Sequence, residues 1–321
     1  MSALQVGIVG GGISGLLLAQ HLSRSGASPT IIDKAVRLGG RFSARPVGHS
    51  LVPTSVRSFN VRHDQIPDVR SLFDETVVRL TASEVNDSAA DSLSWRFGVD
   101  SFEHITKISQ TFNRVHGLVT HVAPTASGRI ALQLWANGPT LTYDAVVLTP
   151  PGPQLVELLR RSEIKIPNRL QEVRYSRQLV FIGSGRKVLP NEPHLADDFW
   201  SNVYVKKTNK TDEVSLAAYA SHAVSERLWE QDATATQADL ATALHSSVPD
   251  LQIDHGDVKR WRYANALHLA ARDCGQALQP SLPMWACGDG LGGPSGTAWG
   301  VSRALSTAAA ARDGLLSAFS G

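Results

Sequence analysis

Short apolar runs and helical stripes alternate along the chain. Val6 to Val9 reads as a strand. Leu16, Leu17, Leu18, Ala19 and Leu22 then read as the buried side of a helix that begins near Ile13. Thr30, Ile31 and Ile32 form a second apolar run, which ends at Asp33. Phe102, Ile105, Ile108 and Phe112 lie on one helical stripe and predict a helix over 102–112. Strands are expected at 115–122, 128–135 and 143–148, then at 174–182, 200–206, 214–220 and 257–263. A helix is expected at about 237–247, before the Pro249-Asp250 break, and an Ala- and Leu-rich helix from about 297 to 319. Thr81 to Ser94 is polar, rich in Ser and Asp, and reads as a loop.

The first forty residues carry the most chemistry. Gly10, Gly12 and Gly15 form G-x-G-x-x-G directly after the first strand and at the start of the first helix. Gly10 permits the tight turn, Gly12 lets a pyrophosphate approach the backbone, and Gly15 lets helix and strand pack closely. The helix start, at Ile13 and Ser14, offers free N–H groups and a positive dipole end to phosphate. Asp33 can accept from both ribose hydroxyls of an adenosine, and its carboxylate disfavours a 2′-phosphate. Arg37-Leu38-Gly39-Gly40-Arg41 follows a few residues later. A simple NAD site does not need a second glycine pair and arginine here. FAD lies extended, and its pyrophosphate and ribityl chain pass over such a loop, with Gly40 giving close approach and Arg41 a charge-assisted donor. Lys34, Phe42 and Val115 are placed with the same cofactor site.

The far end of the chain agrees. Met284 to Asp289 reads as a short buried strand ending in Gly288-Asp289, followed by a glycine-rich loop and the last helix. Asp289 would bond a ribityl hydroxyl, and the amides of Gly296, Thr297 and Ala298 would face the pyrimidine edge of a flavin. Thr149-Pro150-Pro151, after the strand at 143–148, would pass the adenine end. The expectation is an α/β protein. An FAD-binding Rossmann-like (GR2-type) domain is assembled from 1–65, 102–155 and 284–321. A second, mixed-sheet α+β substrate domain is assembled from 66–101 and 156–283.

Composition narrows the function classes. The chain has 321 residues, 42% hydrophobic and 19% charged, with net charge +2. That charge is too small to imply nucleic acid, and no basic run is interleaved with aromatics. Lys206, Lys207 and Lys210 read as a solvated turn. Two cysteines, Cys274 and Cys287, make neither a disulfide framework nor a CxxC metal pair. The eleven histidines lack ligand spacing, so no metal is expected. No basic n-region precedes the first apolar stretch, and no apolar run has membrane-spanning length, so a cytoplasmic location without membrane contact is expected.

The acid followed by R-x-G-G-R resembles the amine oxidase superfamily of flavoproteins, and within it the renalase group. Asp33-Lys34, VVLTPPGPQLVELL (146–159), KRWRYA (Lys259 to Ala264) and ACGDGLGGPSGTAWGVSRAL (286–305) carry the resemblance. It covers most of the length outside about 45–100. It implies an FAD-dependent oxidase that takes a hydride from a small cyclic or dihydro, dihydronicotinamide-like, substrate to flavin N5, with oxygen as electron acceptor. Little acid–base help is needed when a dihydropyridine gains aromaticity, so positioning supplies most of the effect. An amine substrate, or a biosynthetic amine oxidase or desaturase, stays open. So does a non-redox isomerase or cyclase that keeps the dinucleotide fold. A monomer or homodimer is expected.

One segment departs from the family. Where relatives carry D-x-G-A-Q, this chain has Pro53-Thr54-Ser55-Val56-Arg57-Ser58-Phe59-Asn60. Val56 adds bulk and Arg57 a cation. Either the substrate differs, with Arg57 binding an anionic group, or the flavin is held differently, or redox activity is lost. The candidates for the reacting face are Arg57, Asn60, Trp261 and Tyr263, with Trp299 beside them. Trp261 and Tyr263 are expected to alternate with Arg262 on one strand and so to share a face, either as a substrate wall or as a core pair. His49 and His63 are acid–base candidates.

Overall fold

A computed structural model describes residues 2–47, 50–54, 58–74, 77–79, 92–97, 99–135, 138–187, 198–207, 212–271, 273–292 and 300–320. The chain forms two compact units. The first is Met1–Gly40, Arg57–Arg174 and Ala266–Gly321; the second is Arg41–Val56 and Tyr175–Asn265.

The first unit is built on a five-stranded sheet. Its order is Met284–Ala286, Ala145–Leu148, Gln5–Val9, Ser28–Asp33, Asn113–His116. Every pairing in it is parallel. A parallel sheet covered on both faces requires near-continuous apolar strands. Accordingly Val6, Ile8, Ile31, Ile32 and all of Ala145–Leu148 are fully buried. The first helix, Ile13–Arg24, packs against the last, Gly300–Ala318. The unit also holds two three-stranded antiparallel sheets. One joins Thr140–Tyr143, Ile130–Leu134 and Val119–Pro124; the other joins Ser58–Arg62, Ser92–Phe97 and Val77–Arg79. Ser92 to Ser94, expected in a loop, therefore lie in a strand.

Two expected strands are each divided between sheets. The run 115–122 breaks at Gly117 and Leu118: Asn113–His116 belongs to the parallel sheet, Val119–Pro124 to an antiparallel one. The run 143–148 breaks at Asp144, whose carboxylate accepts from the Gln5 amide at 2.8 Å and pairs with Arg129 at 2.9 Å. Tyr143 ends an antiparallel strand, and its ring fills the space where a side chain on Gly7 would stand. Burial there pushes the Tyr143 hydroxyl pKa up. The helix expected over 102–112 spans Val99–Ser109. It stops short of Phe112, because the Gln110 and Thr111 amides turn back to Lys107 and Ile108.

The second unit has a four-stranded antiparallel sheet, ordered Trp200–Lys207, Glu213–Ala220, Gln178–Lys187, Leu251–Trp261. One face packs against helices His222–Leu228 and Ala233–Ser247 through Leu179, Phe181, Leu216, Leu240, Leu244 and Leu251. The other face, with Val180, Ile182, Ala217 and Tyr219, packs on Val52 of the hairpin Ala44–Val47/Ser50–Pro53. Covering on both faces explains why Val214 to Ala220 is buried throughout.

The compact units are cut differently from the expected domains. Residues 41–56 lie in the second unit because the hairpin bonds to its sheet: Ser215 Oγ donates to Val47 O at 3.0 Å and Tyr219 Oη to Pro53 O at 2.8 Å. Residues 66–101, as far as described, lie in the first unit, where Ile66–Phe73 is tied to the first helix by the bond from Gln20 Nε2 to Ser71 O at 3.0 Å. Residues 156–174 also join the first unit, anchored by the Val122 amide on Ser162 Oγ at 2.9 Å. Residues 266–283 join it too.

Candidate dinucleotide site

The carboxyl ends of parallel strands are where doubly wound sheets bind ligands. Gly10 leaves the first strand with φ +109°, a conformation open to glycine, and its amide donates to Ile32 O at 2.8 Å. Gly15 and Gly12 differ in what surrounds them. A Cβ on Gly15 would lie 2.1 Å from Gly10 O, so this glycine serves helix–turn packing. Among the described residues a Cβ on Gly12 would meet nothing within 4 Å, which leaves open space at the helix start. The first intrahelical bond runs from the Leu16 amide to Gly12 O at 2.9 Å, so the amides of Ile13, Ser14 and Gly15 have no helical acceptor.

Gly11, an x position of the glycine motif that no sequence signal singles out, joins the site together. Its amide donates to Asp33 Oδ2 at 2.6 Å, and its carbonyl accepts from the Gly39 amide at 2.7 Å. Asp33 Oδ1 accepts from the Ala35 amide at 2.7 Å. The carboxylate is thus aimed by two backbone donors, and each oxygen retains a further lone pair. Gly39 and Gly40, at φ +117° and +57°, pack directly on the first turn: Gly12 and Gly39 form a β-bridge, and a Cβ on Gly40 would lie 3.1 Å from Gly12 Cα. Leu38, buried, occupies the space beside Gly11. The x-G-G spacing was legible; that Leu38 is the buried plug between the loops was not.

Other expected residues take several roles. Ser14 is buried and its hydroxyl donates to Ala304 O at 3.2 Å, so the side chain packs helix on helix and only its amide faces the open turn. Thr149 Oγ1 donates to Val9 O and Gly10 O, both at 3.0 Å, locking the turn from behind. Lys34 is exposed, and its carbonyl lies 3.0 Å from His116 Nε2. Val115 pairs with Ile32 across the parallel ladder. Gly288 has φ +152°, and its amide donates to Thr307 Oγ1 at 3.0 Å. Asp289 is buried, and its carbonyl accepts from Arg303 Nε at 2.9 Å. Asn60 Oδ1 accepts from Ser94 Oγ at 2.6 Å. His63 is exposed in a short 3₁₀ turn. Arg57, Gly296, Thr297, Ala298, Trp299 and His49 lie outside the described residues.

Four expected site residues belong to the second unit. Arg41 Nη1 donates to Ala264 O at 2.8 Å, and its guanidinium lies 5.9 Å from the Tyr175 ring centre. Phe42 is buried. Tyr263 meets Tyr175 edge-on, with centroids 5.6 Å apart. The long strand ends at Trp261, so Tyr263 stands in the following turn. The expected alternation of Trp261 and Tyr263 on one strand face therefore fails, because the Ala264 amide turns back to Ser176 O at 2.9 Å. Trp261 Nε1 donates to Thr54 O at 2.6 Å, and Lys259 Nζ lies 4.7 Å from its ring centre.

Among the described residues no three His, Cys, Asp or Glu side chains gather as a metal site would require. No described helix is long and apolar enough to cross a membrane. Burial pushes the Cys287 thiol well up, and Cys274 is buried as well.

No curated protein sequence matches the chain. Solved structures match it along its length. A protein assigned as a protoporphyrinogen oxidase from Exiguobacterium sp. 255-15 is 14% identical, with a TM-score of 0.68 over 99% of both chains. A putrescine oxidase bound to putrescine is 14% identical, with a TM-score of 0.65 over 100% of both. Cyclohexylamine oxidase from Brevibacterium oxydans IH-35A is 11% identical, with a TM-score of 0.65 over 98% of this chain and 100% of its own. Residues 8–76 match the NAD(P)-binding Rossmann-like domain family, and the chain as a whole has the fold that these oxidases share.

Proposed function

We propose that the chain is an FAD-dependent oxidoreductase of renalase-like type. In this reading it takes a hydride from a small cyclic or dihydro, dihydronicotinamide-like, substrate or from an amine, with oxygen as acceptor. The observation that carries the reading is the seating of the second glycine loop on the first, through the Gly39 amide on Gly11 O at 2.7 Å. A second backbone loop at the turn suits an extended FAD better than NAD alone. The likeness in fold to oxidases of small amines supports the oxidase class.

The residues present fit such a dinucleotide. Among the described residues nothing stands within 4 Å of the missing Gly12 side chain, the Ile13, Ser14 and Gly15 amides lack helical acceptors, and Asp33 is aimed by two amides. FAD, when bound, supplies a ring that accepts a hydride at N5. In this reading the first-turn amides and the helix dipole hold the pyrophosphate. Asp33 holds the adenosine ribose, and Asp289 a ribityl hydroxyl. Asn60, oriented by Ser94, is proposed to position substrate, as is Arg57. On the second unit, Tyr263 and Trp261 are proposed substrate-side residues, Trp261 from its packed position.

Purified protein is expected to be yellow, or to become so with added FAD. Anaerobic mixing with dihydronicotinamides and with putrescine-like amines then separates the two substrate classes by which one bleaches the flavin band. A protein that stays colourless and binds no FAD overturns the reading.

A further inference from the structure

We infer that Trp135, braced by His116, is the platform on which the adenine base of the dinucleotide stacks; this rests on the FAD reading above. His116 ends its strand opposite Asp33, its register partner at the carboxyl edge of the parallel sheet. Its Nε2 lies 3.0 Å from Lys34 O, and the next amide, Gly117, donates to Asp33 O at 2.9 Å. Trp135 is tied to this corner, its amide donating to Leu118 O at 2.8 Å. The two rings, with centroids 6.1 Å apart, meet at 73°. A planar base can stack on one such ring while its edge abuts the other.

Three further observations favour a ligand here. Trp135 is 43% exposed and presents a large apolar ring to solvent. Val36, 70% exposed, and Leu118, 40% exposed, sit on the neighbouring segments, so half of the six exposed large apolar side chains among the described residues gather beside Asp33. Trp135 also holds φ +49°, a left-handed backbone that bulky residues rarely adopt. Strain of this kind concentrates at ligand sites. Asp33 takes the ribose in the proposed reading, and the base attached to that sugar must lie within a few ångströms of it. His116 and Trp135 are the exposed aromatic surface that the register places there.

The test compares ADP, FAD and FMN binding to flavin-free protein by calorimetry. Trp135→Ala and Trp135→Asn are both used, because asparagine tolerates the left-handed backbone and guards against misfolding. ADP and FAD affinity are expected to fall about tenfold in both variants, as for loss of one base–aromatic stack, with FMN unchanged. Trp135→Phe is expected to stay within about twofold of the original. Unchanged ADP affinity in a folded Trp135→Asn overturns the assignment, as does an equal loss for ADP and FMN. If the unaltered protein binds FAD with normal affinity but the variants do too, only the platform falls. If the unaltered protein binds neither ADP nor FAD, the FAD reading falls and the platform with it.

Discussion

The Gly11 amide donates to the Asp33 carboxylate across 2.6 Å, so the glycine turn and the acid at the end of the next strand form one hydrogen-bonded unit. Asp33→Asn replaces an acceptor-only group with one that carries donors. One of the Gly11 and Ala35 amides then faces an NH₂, and the ribose loses its charged acceptor. FAD affinity is expected to fall roughly 10- to 100-fold, as for a lost hydrogen bond to a charged group, measured by flavin fluorescence on titration. An affinity within experimental error of the original would rule out Asp33 as the ribose acid.

Gly12 and Gly15 separate binding from folding. Gly15→Ala drives a methyl into Gly10 O, which would lie 2.1 Å away. A loss of about 2 kcal/mol is expected, lowering the melting temperature by about 4–8 °C. Gly12→Ala meets nothing within 4 Å among the described residues and sits on ordinary extended backbone, so the melting temperature of flavin-free protein should hold. Its FAD affinity should fall by about tenfold or more, since the methyl stands where phosphate approaches. Calorimetric melts beside flavin titrations check both, and the reverse pattern would refute this division of roles.

Trp261 tests packing against chemistry. Its indole N–H is bonded to Thr54 O at 2.6 Å and its ring packs against the cluster formed by Val52, Val180, Ile182, Ala217 and Tyr219. Trp261→Phe keeps an aromatic ring and leaves that carbonyl without its donor. A loss of about 1 kcal/mol in stability is expected, with turnover changed by less than about twofold. Steady-state kinetics and denaturant melts decide; a large loss of kcat at unchanged stability would make Trp261 a substrate wall instead.

Asp232 provides a pH test of the second unit. It caps helix Ala233–Ser247, and the Ala235 amide, then the Thr234 amide, hold its pKa below the usual aspartate value. A depressed folded pKa means the stabilisation is full above the unfolded pKa and is lost as pH falls through the folded one. The melting temperature should therefore drop on going from neutral to strongly acid pH by more than it does in Asp232→Asn, which caps without titrating. Identical pH profiles for the two proteins would remove the cap from the account.

The local motif was legible because its geometry closes within about thirty residues. An apolar run, three glycines and a terminal acid dictate a strand, a tight turn, a helix start and a carboxylate at the end of the next strand. Tertiary structure decided which surface each apolar run was buried against. Residues 115–122 and 143–148 each looked like one strand, yet Leu118 and Asp144 mark places where the chain crosses between the parallel sheet and an antiparallel one. Apolar patterning reports burial and period; strand partners come from distant segments and leave no trace in that pattern. The same limit hid Gly11, whose role depends on Asp33 and Gly39, and gave Ser14 to Ala304, which is 290 residues away. It also sent 41–56 to the second unit, because Tyr219 and Ser215 hold the hairpin by bonds that only the assembled sheet presents.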